Sequence, residues 1–148
     1  MTQEIYALGA NRSAGFALAF LEHFSPNRKP ACDEYSVPEH YDYPKAIFKT
    51  EVEVLAYLEA HSNETYALYW NDRGSNDYEQ AMLFYTSDGM VIFGLACEKS
   101  KSDMRMQELR NFIGAEWAMK GWEQRPPSTS TEFIALCRKA IESDATRK

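Results

Sequence analysis

The stretch that decides the fold spans residues 81–97 and reads AMLFYTSDGMVIFGLAC. Two nearly continuous apolar runs flank the pair Asp88-Gly89, which favours a two-residue type I′ turn because such turns need positive φ. The stretch therefore predicts an antiparallel hairpin in the middle of a sheet. Runs that are apolar at consecutive positions also indicate strands that are covered on both faces.

Apolar spacing and capping signals on either side of this hairpin predict the remaining elements. The aromatic run 66–70 completes a β-meander over residues 64–97, and short strands are expected over 4–8, 46–48 and 122–124. Helices are predicted over 13–24, over 50–61 behind the capping box Thr50/Glu53, from Ser102 to before Gly121, and behind a second capping box, Thr129/Glu132. We expect an irregular, proline-rich loop over 25–46 and a frayed tail from about 143. The fold class is α+β: one domain over residues 1–148, with a central, mainly antiparallel sheet flanked by about four helices.

Charge and composition exclude several classes of protein. The 148 residues include 22 acidic and 16 basic side chains, a net charge of −6, which argues against nucleic acid as a partner. No apolar run is long enough to span a membrane, and the N-terminal residues lack the pattern of a secretory signal. The three cysteines lie far apart and form no disulfide framework, so a cytoplasmic location is expected.

Side chains with catalytic or metal-binding potential follow no recognisable spacing. Cys97 and Cys137 lie in apolar runs and resemble small buried hydrophobes, whereas Cys32 lies in the polar loop. We therefore predict no catalytic residues, no metal site and no cofactor. The segment from Gly9 to Gly15 leaves two interpretations open: Arg12 and Ser13 hold an anion at a helix N-terminus, or they form a turn and an N-cap.

Residues 31–79 stand out by charge and by tyrosine content. Eleven acidic residues face three basic ones there, which gives the span a net charge of −8, and seven of the nine tyrosines lie in it. Tyrosine is favoured at protein interfaces, and surrounding carboxylates attract a basic partner. Helix and strand residues must serve the core, so the loop residues are the predicted contact surface. They are Asp33, Glu34, Tyr35, Glu39, Tyr41, Asp42, Tyr43, Asp72, Asp77 and Tyr78.

The strand YALYWN at 66–71 and the hairpin FYTSDGMVIF at 84–93 resemble those of small bacterial immunity proteins, which are paired with polymorphic or contact-dependent inhibition toxins. Pro126-Pro127-Ser128 and Glu132-Phe133 extend the resemblance, which covers about residues 64–135. It implies a cytosolic inhibitor that binds one toxin, and many such toxins are nucleases with basic clefts.

Two other functions remain open. The chain is also similar in character to secretion chaperones, which are small, acidic α+β proteins and usually dimers, so a homodimer is left open. Exposed apolar strand or helix surface would favour that function. An enzyme acting on a small molecule would instead need a deep pocket with convergent polar groups and a perturbed pKa.

Overall fold

The computed structural model describes residues 1–39, 42–72, 78–121 and 124–146. Its helices are α1 (Ala14–Phe24), α2 (Glu51–Ala60), α3 (Ser102–Ile113) and α4 (Ser130–Thr146). Its strands are β1 (Thr2–Gly9), β2 (Lys29–Pro30), β3 (Tyr35–Val37), β4 (Ala46–Phe48), β5 (Tyr66–Asn71), β6 (Tyr78–Tyr85), β7 (Val91–Glu98) and β8 (Ala118–Lys120).

Six of these strands form one antiparallel sheet in the order β2-β5-β6-β7-β1-β8. The hairpin of β6 and β7 lies at its centre, as residues 81–97 predict. β7 is buried from Val91 to Cys97, because both of its faces are covered. The strands β3 and β4 form a separate two-stranded sheet. The α+β class and the single domain are confirmed.

Apolar layers cover the two faces of the six-stranded sheet. On one face, α1, α2 and α3 pack through side chains such as Phe20, Leu55 and Leu109. On the other face, α4 packs through Phe133 and Cys137. The strand β1 supplies both layers, because alternate residues of a strand point to opposite faces.

Local signals placed the helix starts correctly. The Ser13 and Thr50 side chains accept hydrogen bonds from the backbone N–H groups of Phe16 and Glu53. The Thr129 hydroxyl accepts from the Glu132 N–H at 3.2 Å, which confirms the second cap. Helix α3 ends at Gly114, whose φ of 71° is left-handed.

Three local predictions need correction, and a fourth lies mainly outside the described residues. The two-residue turn is wrong: residues 86–90 form a wider loop, with Gly89 at φ 87°, because the Ser87 N–H donates to the Ser128 carbonyl at 2.9 Å. The 25–46 loop contains the short strands β2 and β3. The strand expected at 122–124 falls mainly on Trp122 and Glu123, which lie outside the described residues; a short strand, β8, lies just before them. Helix α4 continues to Thr146, beyond the expected end of ordered helix.

Candidate functional site

One edge of the six-stranded sheet is covered along only part of its length. The strand β2 pairs with Asn71 and Trp70 of β5, and the Ala31 N–H donates to the Tyr69 carbonyl at 3.1 Å. Beyond that bond the chain leaves β5, since β3 pairs with β4 rather than with the sheet. Residues 66–69 therefore border a cavity of about 450 Å³, which we call the β5-edge cleft.

Polar groups of the β5-edge cleft come from segments that are far apart in the sequence. The Arg125 guanidinium forms an ion pair with Glu39 at 2.7 Å, across 86 positions of the chain. The same Glu39 oxygen, Oε1, accepts the Ala67 N–H at 3.3 Å. A carboxylate therefore occupies the position that a neighbouring strand's carbonyl takes in a complete sheet. Cys32, Glu34 and Ser36 complete the polar lining.

Arg125 also borders two smaller cavities next to the cleft. One, of about 250 Å³, is lined by Tyr6, Pro126 and Phe133. The other, of about 240 Å³, is lined by Tyr66, Phe84 and Pro127. The Arg125 side chain is 45% exposed. The Arg125 side chain is therefore only partly packed at this junction.

Tyrosine hydroxyls in and beside the cleft remain protonated at neutral pH. Burial is the main reason that the pKa of Tyr35 and of Tyr66 rises to about 12, and the Glu39 charge adds to it for Tyr66. Burial also raises the pKa of Tyr69, although Arg125 opposes this. Tyr6 donates a hydrogen bond to the Glu4 carboxylate, and its pKa is raised by burial first and by Glu4 second. Neutral hydroxyls beside carboxylates suit hydrogen bonding to a ligand rather than proton abstraction.

The one thiol in the cleft is a weak nucleophile. Cys32 is exposed, whereas Cys97 and Cys137 are buried. Burial and the charges of Asp33 and Glu34 raise the pKa of the Cys32 thiol, although a backbone hydrogen bond from Glu34 opposes them. Since the thiolate is the reactive form, Cys32 is poorly activated. Within the described ranges, no group of three or more His, Cys, Asp or Glu side chains is arranged to hold a metal ion.

The structure brings only part of the predicted contact surface together. Glu34, Tyr35 and Glu39 line the cleft, and the exposed Asp33 adjoins it in sequence. The Glu34 carboxylate is paired with Lys49 at 2.7 Å in an exposed ion pair. Asp42 and Tyr43 are exposed in the following loop, where Tyr43 is 89% exposed. Tyr41 and Asp77 lie outside the described residues.

A contact surface requires Tyr35, Asp72 and Tyr78 to be exposed, and this part of the prediction is wrong. Their relative exposures are 3%, 3% and 6%. Asp72 follows β5 at the end opposite the cleft and accepts a hydrogen bond from the Ser25 hydroxyl at 3.1 Å. Tyr78 begins β6, and its hydroxyl donates to Glu108 at 2.7 Å. Polar loop composition did not show that α1 and α3 cover these two side chains.

Arg12 has no donor left for an anion. Its guanidinium donates to carbonyls of Leu58, His61 and Glu64 around the end of α2, at distances of 2.6–2.8 Å. It also reaches the Thr86 carbonyl at 2.9 Å and the Met90 carbonyl at 3.4 Å. Ser13 caps α1. The anion-site interpretation is therefore wrong, and the turn-and-cap interpretation holds, with Arg12 as a buried structural tie.

Sequence analysis missed Arg125, Cys32, Tyr66 and Tyr69 as site residues. Tyr66 is a core residue, as its place in a strand predicts, but it also lines the cleft together with the half-buried Tyr69, because β2 covers only part of β5. No local pattern links Arg125 to Glu39. The available signal was a basic residue directly before Pro126-Pro127. The residue before a proline is disfavoured in a helix, so Arg125 was to be expected in a loop.

Comparisons with family models, with curated proteins and with solved structures give no match to this chain. Among the described residues, no helix is long and apolar enough to cross a membrane.

Proposed function

We propose that this protein acts by binding another protein, and that it is an immunity protein that neutralises a cognate bacterial toxin. The observation that carries the proposal is the β5-edge cleft, where Glu34 and Glu39 lie beside tyrosine hydroxyls and an incompletely paired strand edge. Carboxylates attract a basic partner over several ångströms, and the half-buried Tyr69 supplies contact area with a polar tip. A basic nuclease toxin has the complementary surface.

Electrostatic attraction predicts a strong dependence on salt. The Debye length is about 8 Å at physiological ionic strength, so exposed carboxylates such as Asp33 and Glu34 lose most of their long-range effect at higher salt. Reversing both charges should lower the association rate more than it raises the dissociation rate. The exposed Glu34–Lys49 ion pair contributes little to folding, so the double variant should remain folded.

The test is a binding titration against the toxin domain encoded by the neighbouring gene, at low and at high salt. We expect Asp33→Lys with Glu34→Lys to slow association by about tenfold or more at low salt. The matched control is Glu98→Lys with Glu142→Lys, two exposed acids outside the cleft, which should change association much less. Absence of binding at low salt, or equal effects of the two double variants, would refute the proposal.

A secretion-effector chaperone is the second candidate, and one observation favours it. An open groove of about 830 Å³ runs between α3, β8 and α4, and Ile141 in it is 60% exposed. Such a groove suits an unfolded apolar segment. A chaperone should bind the unfolded form of its partner and ignore charge reversal at the cleft, whereas an immunity protein should bind the folded toxin domain.

A further inference from the structure

We propose that the partner binds by strand addition: an extended segment carrying a basic side chain pairs with the edge of β5 and displaces Glu39 from Ala67. The inference rests on the proposed protein-binding function and specifies its geometry. The first observation is the divergence of the chain after Ala31, whose N–H bonds to the Tyr69 carbonyl; beyond that bond, residues 66–68 are bordered by a cavity instead of a strand. At about 3.3 Å per residue, this edge accepts an extended segment along about 10 Å.

The backbone of β5 presents its hydrogen-bonding groups to that cavity. The Ala67 N–H donates to Glu39 and the Tyr69 carbonyl accepts from Ala31, so these two residues direct their backbone groups away from β6. In an antiparallel strand, the N–H and the C=O of one residue point the same way. The Ala67 carbonyl therefore faces the cleft as well, and an incoming strand finds both a donor and an acceptor at this residue.

Glu39 holds Ala67 in a way that a strand can replace. Its bond to the Ala67 N–H is long, at 3.3 Å, while the same oxygen is closer to Arg125, at 2.7 Å. A carbonyl from an incoming strand can take the N–H in better geometry. Glu39, whose side chain is 18% exposed, then stays beside the segment as a carboxylate. That carboxylate already pairs with Arg125, whose side chain is 45% exposed, so an arginine or a lysine on the incoming strand competes with Arg125 for it; this is why we assign the occupant a basic side chain.

An incompletely paired edge is also a risk, since unpaired strand edges invite unwanted association. The Glu39–Arg125 pair protects the edge while no partner is bound. Protection alone predicts that no extended peptide adds to β5, whereas strand addition predicts that a suitable peptide does. Titration with an extended peptide separates protection of the edge from strand addition.

The probe is a capped peptide of about eight residues that alternates threonine and valine, with one central arginine, titrated into the full chain. Amide NMR shifts should centre on Ala67 and its neighbours in β5. N-methylation of alternate peptide amides removes the donors along one edge of the peptide. Methylation along the edge that pairs with β5 should weaken binding by about tenfold or more, and methylation along the opposite edge should have little effect.

Two protein variants test the assigned groups. Ala67→Pro removes the N–H and should abolish the peptide shifts, whereas Ala67→Ser keeps the N–H and should retain them; unfolding curves check that both variants fold. In Glu39→Gln, the advantage of the arginine peptide over its threonine analogue should disappear. Shifts centred away from residues 66–69, equal loss from methylation along either edge, or no shifts at millimolar peptide would overturn the inference.

Failure of this inference can be distinguished from failure of the proposed function. If the toxin domain binds the Ala67→Pro and Ala67→Ser proteins equally, the protein is a binder that does not use strand addition. If the peptide adds to β5 while the folded toxin domain does not bind, the strand edge is functional and the toxin assignment is wrong.

Discussion

Replacing Arg12 with methionine should destabilise the fold by about 3 kcal/mol. The guanidinium lies where the start of α1, the end of α2 and the β6–β7 hairpin meet, and the residue is 8% exposed. Burial lowers the pKa of Arg12, with Tyr85 and Glu64 opposing this. Its charge is therefore held there at a desolvation cost, and hydrogen bonds to carbonyls compensate for it.

The magnitude follows from the carbonyls that lose a partner. His61 also accepts from the Glu64 N–H, Thr86 from the Gly89 N–H and Met90 from the Thr86 N–H. For the carbonyls of Leu58 and Glu64, Arg12 is the partner that the described contacts provide. Each unsatisfied carbonyl costs about 1–3 kcal/mol, and methionine avoids the cost of desolvating the guanidinium, so about 3 kcal/mol remains.

The assay is urea unfolding followed by fluorescence, since Trp70 is fully buried. Arg12→Lys keeps the charge but cannot span all of these carbonyls, and we expect it to lose about 2 kcal/mol. The control is Arg138→Met, an exposed arginine over the Trp117 ring, which should change stability by about 0.5 kcal/mol or less. A loss below about 1 kcal/mol for Arg12→Met, or a lysine variant as stable as the parent, would refute the reasoning.

Three further predictions concern the hairpin loop and the cleft. Gly89→Val should lower the free energy of unfolding in urea by about 1 kcal/mol or more, because a β-branched residue resists a φ of 87°. The control is Gly15→Ala, where a Cβ meets open space, and it should not destabilise the protein. Asp88 accepts hydrogen bonds from the Ser130 N–H and from the Ser130 hydroxyl at the start of α4. Burial raises the pKa of Asp88, but the hydrogen bonds outweigh burial and hold this pKa below 3.8. The Asp88→Asn protein should therefore be less stable at pH 7 by about 0.5–1 kcal/mol. This difference should vanish as the pH falls through the lowered pKa, because a protonated Asp88 no longer offers a charged acceptor to Ser130. A difference that does not depend on pH would contradict this. Cys32 should be the thiol that labels in the native protein, and a bound cleft ligand should slow its labelling; equal labelling of a buried cysteine would argue against the described packing.

The sequence alone determined the elements that depend on neighbouring residues. The hairpin at 81–97 follows from two apolar runs and Asp88-Gly89, and the starts of α1, α2 and α4 follow from Ser13, Thr50 and Thr129. Capping and turn formation involve contacts within a few positions, so residue type and spacing are sufficient to predict them. The same signals could not give the width of the hairpin loop, because Ser128 and Ser130 from a distant segment contact it.

The tertiary structure decided which of the polar residues could form a site. Arg12, Asp72 and Tyr78 have the composition of a solvated surface, yet long-range packing buries each of them with hydrogen-bond partners. Tyr66 and Tyr69 belong to an apolar strand, and they also border a cavity because β2 stops short, although Tyr66 is itself a core residue. The physical reason is that strand order and the pairing of Glu39 with Arg125 depend on contacts between distant positions, and local propensity and periodicity carry no information about them.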